Sequence, residues 1–280
     1  MLIALGYIAS IFMGLSLGLI GGGGSILTVP ILVYLFQIDP VTATGYSLFV
    51  VGLTALFGSF SYFKKGMIDF KTGFIFAGPS FLGVYFSRAF IVPSIPSEVF
   101  HFGTFVITKP LLIMGVFAIL MVAASISMIR GNKKSTNNIS FDNNNNIGSK
   151  KNMLSPIQRN ILIGIEGLIV GSITGFVGAG GGFLIIPALV ILAGLQMRVA
   201  VGTSLMIIAI KSLFGFLGDF KNPQHIDWKF LLTIALIAIV GIFLGSHFSK
   251  YVPETKLKKA FGIFVLIMGS AILIQQLSTL

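Results

Sequence analysis

Residues 18–30 read Gly18-Leu19-Ile20-Gly21-Gly22-Gly23-Gly24-Ser25-Ile26-Leu27-Thr28-Val29-Pro30, and residues 175–187 repeat the pattern as Gly175-Phe176-Val177-Gly178-Ala179-Gly180-Gly181-Gly182-Phe183-Leu184-Ile185-Ile186-Pro187. The two copies align at a constant offset without a gap. The same offset continues to pair identical residues as far as Lys64 and Lys221. A long match at a fixed spacing indicates an internal duplication. The chain therefore consists of two halves built on one plan.

The composition predicts an integral membrane protein. Of the 280 residues, 55% are hydrophobic and only 10% are charged, whereas soluble domains carry about 25% charged residues. Several apolar runs reach the roughly 20 residues that a helix needs to cross a bilayer. The net charge of +11 is explained by basic loops on the cytoplasmic side, so no nucleic acid partner is predicted. The absence of cysteine excludes disulfides, thiolate metal sites and cysteine nucleophiles.

The glycine runs are predicted to break their helices inside the membrane. Four glycines in succession disfavour a helix, since each costs roughly 1 kcal/mol in a helix interior. A helix that restarts near Ser25 would direct unpaired N–H groups and its positive dipole end into a cavity, which is the geometry of an anion site. This hypothesis makes substrate ligands of the residues at both breaks: Gly21, Gly22, Gly23, Gly24 and Ser25, then Gly178, Gly180, Gly181 and Gly182. The alternative is that the glycines only allow close helix packing.

The predicted architecture is an all-α membrane protein with about five helical segments in each half. Residues 1–130 form the first repeat, 131–157 a flexible Asn- and Lys-rich cytoplasmic linker, and 158–280 the second repeat. Eight segments are long helices and two are short segments broken by glycine. Asp69 and Asp227, which precede later spans in the two halves, are interpreted as helix N-caps.

The distribution of lysine and arginine predicts how the chain lies in the membrane. If each glycine segment forms a hairpin and the linker is cytoplasmic, fourteen basic residues lie inside and three outside. If each glycine segment instead crosses the membrane once as a single broken helix, eleven basic residues lie inside and six lie outside. The positive-inside rule favours the first arrangement. The halves would then be inverted repeats, with both termini outside.

Charged residues within the spans are functional candidates, because burying a charge in lipid is costly. Glu166 could couple transport to protons, or it could pair with a basic neighbour such as Arg159. Lys211 could neutralise an anionic substrate or extend to the interface, and its depth in the span favours binding. Arg88, near the end of a span, is predicted to extend to the interface.

Hydroxyl residues also follow each short segment, in Gly45-Tyr46-Ser47-Leu48 and Gly202-Thr203-Ser204-Leu205. Ser47, Thr203 and Ser204 could cap their own helices or donate to an anion. No HExxH, GxSxG or Walker A motif is present, so neither an enzyme nor a cofactor or metal site is predicted.

These paired glycine runs followed by proline, the Ala-x-Gly-[Tyr/Thr]-Ser-Leu segments and the Gly-x-x-Asp-aromatic starts resemble the sulfite exporter TauE/SafE family. The resemblance implies a multi-pass transporter of the cytoplasmic membrane, with a small anionic substrate such as sulfite, an organosulfonate or a carboxylate. It also implies sites near Gly21–Ser25, Ser47, Gly178–Gly182, Thr203 and Ser204, although Tyr46 stands where the second half has Thr203. An anion channel and a membrane scaffold protein remain alternatives. The sequence does not indicate the oligomeric state.

Overall fold

The computed structural model describes residues 2–102, 105–130, 156–221, 226–249 and 254–278. The predicted linker falls mostly outside these residues, and its character stays a prediction. Ten helices form the described part, five before the linker and five after it. They are α1 (Leu2–Ile20), α2 (Gly22–Leu35), α3 (Pro40–Phe63), α4 (Phe70–Ser94), α5 (Lys109–Arg130), α6 (Pro156–Val177), α7 (Gly182–Ile191), α8 (Met197–Phe216), α9 (Trp228–Phe248) and α10 (Glu254–Ser278).

The helical membrane fold is confirmed. Seven of the described helices are long and apolar enough to cross a bilayer: α1, α3, α4, α5, α6, α8 and α9. Their outward faces carry exposed large side chains such as Phe12, Phe74 and Leu236, which suits contact with lipid rather than water. Helix α10 is 25 residues long, with its apolar stretch at Gly262–Gln276. One feature was not predicted, a two-stranded hairpin of β1 (Glu98–Phe102) and β2 (Phe105–Thr108) between α4 and α5.

The glycine runs do break the helices. Gly21 has a φ of 77°, and Gly178, Gly180 and Gly181 have φ values of 77°, 63° and 68°. Residues with a Cβ rarely adopt this left-handed backbone conformation, so glycine is required at these turns. After the first turn, α2 is irregular, with a 3₁₀ turn at Gly22–Leu27 and a π turn at Ile31–Leu35. After the second turn, α7 is regular but only ten residues long.

Neighbouring contacts give the direction of each helix. Gly14 and Gly18 of α1 lie against Ala238 and Ile242 of α9, so α1 and α9 are parallel. Contacts of the same kind make α3 parallel to α9, and both α6 and α8 parallel to α4. Because α3 follows α1 in the same direction, α2 must return alongside α1. The glycine segment is thus one arm of a hairpin, and the same reasoning applies to α7 between α6 and α8.

The equivalent helices α3 and α8 run antiparallel. Gly45 near the start of α3 lies against Asp219 beyond the end of α8, and Gly202 near the start of α8 lies against Tyr62 near the end of α3. Other helices also pack on the opposite half: α1 of the first half packs on α9 of the second, and its counterpart α6 packs on α4 of the first. The two halves therefore enclose a common centre, where α2 also meets α7.

Close packing explains many of the other glycines. In α6, Gly167, Gly171 and Gly175 lie against the α4 backbone, where an added Cβ would meet main-chain atoms. Gly241 and Gly245 of α9 play the same part against α1. Small residues at such spacing let membrane helices approach closely. These glycines lie outside the two runs and serve close packing, whereas the glycines with positive φ form turns.

The N-cap predictions are confirmed, and each cap is held by the opposite half. The Asp69 and Asp227 side chains accept from the N–H groups of Thr72 and Phe230. The Asp69 N–H donates to Thr203 Oγ1 at 3.0 Å. At the equivalent position, the Asp227 N–H donates to Tyr46 Oη at 2.9 Å. Tyr46 and Thr203 thus perform the same task despite their different side chains.

Candidate functional site

The two glycine turns meet at the centre of the protein. The Gly22 backbone packs directly on the Gly182 backbone, and a Cβ on either residue would collide with the other. All nine of the predicted glycine and serine ligands at the two turns are buried. The structure therefore brings together, from opposite halves, two segments that lie far apart in the sequence.

Three serines lie beside the turns. Ser47 donates across the halves to the Gly178 carbonyl at 2.6 Å. Its counterpart Ser204 donates to Val201 O at 2.8 Å and also lies beside Gly21, with its Oγ 3.3 Å from where a Cβ would stand. Ser25 donates to the Gly22 carbonyl at 2.7 Å. Each hydroxyl has a backbone acceptor in this conformation, so the serines shape the turns.

Lys211 places an amino group at this centre. Its side chain is 0% exposed, so it does not extend to the interface. The Lys211 Nζ donates to Thr174 Oγ1 at 2.8 Å and lies 2.9 Å from the position of a Cβ on Gly181. The first half has Thr54 at the equivalent place, where the hydroxyl donates to its own helix. The centre is consequently asymmetric in charge.

Thr174 was missed by the sequence analysis. It sits on α6 one turn before Gly178, and it is 1% exposed. Its counterpart in the first half is Leu17, so Thr174 is not among the identical residues of the repeat. A polar residue in one half, at a position that is apolar in the other half, is the sequence signal that could have found it.

Glu166 faces a cavity of about 340 Å³ that also reaches the first glycine turn at Gly23. We call this space the Glu166 cavity; α5, α6 and α7 contribute most of its walls. The Oε2 atom of Glu166 is buried and has no hydrogen-bond partner among the described residues. No salt bridge joins it to Arg159, the partner that the sequence suggested. The equivalent position in the first half is Ala9, which lines an apolar cavity.

Thr203 lies away from the turns. Its hydroxyl accepts from the Asp69 N–H at the start of α4, so the structure gives it a place at a helix cap. The other predicted ligands gather around the junction of the turns, and Glu166 approaches it through its cavity.

The prediction that Arg88 extends to the interface is wrong. Its side chain is 3% exposed and forms a salt bridge with Asp219 of the second half. The Arg88 Nη1 also donates to Thr44 Oγ1 at 2.9 Å. Sequence reasoning considered each charge separately, and the two residues lie too far apart in the chain for their pairing to be visible.

A bundle of membrane-spanning helices, with two broken segments that meet at a buried centre, is typical of multi-pass membrane transporters. Among the described residues, no group of three or more His, Cys, Asp or Glu side chains could hold a metal ion. The family model for the sulfite exporter TauE/SafE matches residues 6–272. The chain therefore belongs to the TauE/SafE family, as its glycine motifs indicated.

Several relatives carry transporter names. The chain is 28% identical over 261 residues to the probable membrane transporter protein YdhB of Bacillus subtilis, covering 93% of this chain and 96% of that protein. It is 29% identical over 279 residues to YunE of the same organism, covering 96% and 94%. A stretch of 111 residues is 36% identical to the probable membrane transporter protein MJ0441 of Methanocaldococcus jannaschii, covering 38% and 41%. No solved structure matches significantly. Localisation in the cell membrane and a transport class rather than an enzyme class follow from these matches.

Proposed function

We propose that this transporter carries a small anion, of the sulfite, organosulfonate or carboxylate type, and binds it where the two glycine turns meet. The observation that carries this proposal is Lys211, a wholly buried lysine whose Nζ lies beside Gly181. Lysine at such depth requires a compensating partner. Among the described residues no acidic side chain forms a salt bridge with it, and its hydrogen-bond partner is the neutral Thr174. A bound anion would supply the missing charge.

The backbone of the turns supports the same ligand class. The first N–H groups of a helix have no partner within it, and the helix dipole favours negative charge there. Helices α2 and α7 both begin at this junction, from opposite halves. The site is closed in the present conformation, because the turns are buried against each other. Binding therefore requires the halves to separate, and transport would proceed by alternating access around the junction.

The antiparallel pairing of α3 with α8 supports inverted repeats. An inverted pair of halves can open to either side of the membrane by the same motion applied to one half or the other. Combined with the distribution of basic residues, it supports an outward position for the start of α3 and the end of α8. Both termini would then lie outside.

Coupling to protons is proposed for Glu166. A carboxyl group that lines a cavity and lacks a partner can take up and release a proton without breaking another interaction. The Glu166 cavity extends to Gly23, so the charge of Glu166 would change the electrostatic potential at the first glycine turn. An anion bound near the turn would favour the protonated form of Glu166, which links the two ligands.

The test is counterflow in proteoliposomes with a panel of sulfite, methanesulfonate, taurine, thiosulfate and acetate. A transporter of this class should show saturable exchange of at least one of these anions, and Lys211→Gln should lose it. Flux that does not saturate, with measurable single-channel current, would instead favour a channel. Absence of exchange and of binding for the whole panel would contradict the anion proposal and favour a scaffold role.

A further inference from the structure

We propose that a second cavity, at the start of α3 and separate from the glycine turns, binds the transported anion on its way to the central site. This inference rests on the proposed function, because it concerns the same class of anion. The cavity measures about 130 Å³ and is lined by residues of α3, α4, α5 and the 3₁₀ turn that follows α8. We call it the Arg88 cavity; its polar lining includes Thr42, Tyr46, Arg88, Lys109 and Asp219.

Arg88 keeps donors available in this cavity. Its Nε and Nη2 both engage a single oxygen, Asp219 Oδ1, and its Nη1 donates to Thr44. A guanidinium carries five N–H groups, so these three contacts leave two N–H groups. Arginine is suited to oxyanions, because its planar fork matches two oxygens of a carboxylate or a similar group. The side chain is also held in place by Thr44, which reduces the entropy lost on binding.

The charges around the cavity favour an anion. Arg88 and Lys109 contribute two cations to the lining, and Asp219 contributes one carboxylate. No salt bridge involves Lys109 among the described residues. Asp39 caps α3 nearby, where its Oδ2 accepts from the N–H groups of Val41 and Thr42, and its charge acts on Lys109 from outside the lining. The residues that line the cavity themselves carry a net positive charge, which raises the local concentration of anions.

The Arg88–Asp219 pair also joins the two halves. Arg88 and Thr44 belong to the first half, Asp219 belongs to the second, and Gly45 of α3 packs against both charged groups. At the opposite end of the α3–α8 pair, the equivalent of Asp219 is Tyr62, and the equivalent of Arg88, by the offset that pairs Asp69 with Asp227, is Ser246. Neither residue carries a charge. A charged bridge thus closes one end only. An anion that binds Arg88 weakens the salt bridge between Arg88 and Asp219. Binding in this cavity therefore favours separation of the two halves at the end where α3 begins.

The chain contains no cysteine, which makes thiol labelling the direct test. Val41 lines the cavity, and Val41→Cys places a single thiol there. Its reaction rates with a sulfonate-bearing and a trimethylammonium-bearing methanethiosulfonate are compared with those of a free thiol in solution. We expect the sulfonate reagent to be favoured several-fold, Lys109→Gln to reduce this preference, and methanesulfonate to slow labelling several-fold. A rate ratio equal to that of the free thiol, together with no protection by methanesulfonate, would overturn the proposal.

A charge exchange separates binding from structure. Arg88→Asp with Asp219→Arg retains an ion pair between the halves but moves the guanidinium to the other side. If the pair is only structural, the double variant should regain wild-type thermal stability and wild-type protection of the thiol. We expect it to regain stability without protection. Arg88→Lys, which keeps the charge but loses the fork, should lower the protection at least severalfold while leaving the protein folded.

The outcome can be distinguished from failure of the proposed function. If wild-type counterflow of methanesulfonate is normal and saturable while the cysteine shows neither preference nor protection, only the second site is refuted. If no anion of the panel is exchanged or bound, the central proposal fails, and the cavity loses its role in transport with it.

Discussion

At the scale of single residues, Lys211 is the side chain on which anion affinity should depend most. Lys211→Gln removes the cation and keeps a group that can still bond Thr174. A hydrogen bond to a charged group contributes about 1.5–3 kcal/mol, so the affinity for sulfite should fall about ten- to hundredfold. Equilibrium binding of labelled sulfite measures this. Thr174→Val is the matched control, because it removes the partner but keeps the charge; a folded Lys211→Gln protein with unaltered affinity would contradict the central site.

Glu166 is the second residue with a testable role. Glu166→Gln fixes a neutral group in the cavity, so accumulation of substrate driven by a pH gradient should be lost, whereas exchange at equal pH should continue. Uptake into proteoliposomes with and without the gradient separates the two. Arg159→Gln, a change at an exposed neighbour on the same helix, should leave both activities unchanged. If the pH dependence of Glu166→Gln matches the wild type, Glu166 has no part in coupling.

Residues of this kind were only partly predictable. Lys211 and Glu166 are predicted as candidates because a charge inside an apolar span is conspicuous. Arg88 was misinterpreted, because a buried ion pair with Asp219 depends on how two distant helices meet. Thr174 gave no signal of its own, since a threonine in a membrane helix commonly bonds its own backbone.

At the scale of elements, the glycines divide into turns and packing surfaces, and substitutions should separate the two. Gly180 has a positive φ, and its Cβ would lie 2.7 Å from Val51 Cγ1, so a side chain there disturbs the fold itself. Gly23 lines the Glu166 cavity and is not among the residues with positive φ. It is therefore the informative position.

We expect Gly23→Ala to fold normally and to bind sulfite up to about tenfold more weakly, because a methyl group beside the turn hinders approach to one N–H group. Gly14→Ala, whose Cβ would meet the Ala238 backbone, should instead lower the thermal stability. Gly78→Ala, with open space around it, is the neutral control. The melting temperature and the sulfite affinity of the three variants together separate a loss of binding from a loss of packing. Normal binding in a folded Gly23→Ala protein would favour the packing interpretation for this turn.

At the scale of the whole molecule, the duplication carried most of the predictable information. The sequence predicts about five helical segments in each half, and ten helices are present among the described residues, since apolar runs of membrane length leave few other choices. The hairpin β1–β2 lies in the connection that has no counterpart in the second half, so symmetry could not predict it. The junction of the two turns was also beyond the sequence, because the repeat indicates equivalence but not contact.

The orientation of the whole molecule in the membrane provides the last prediction. Helices α3 and α8 are equivalent and antiparallel, which requires the two halves to lie in opposite orientations if both cross the bilayer. The distribution of basic residues then predicts that Lys64 and Lys65 lie inside and the start of α3 lies outside. Single cysteines introduced near residues 2 and 278 should therefore react with a membrane-impermeant maleimide in intact cells, whereas Lys65→Cys should react only after the cells are opened. Protection of the C-terminal cysteine in intact cells, with labelling of the N-terminal one, would place the two ends on opposite sides. The number of crossings would then be odd for the chain as a whole, and the inverted arrangement of two halves with five segments each would be wrong.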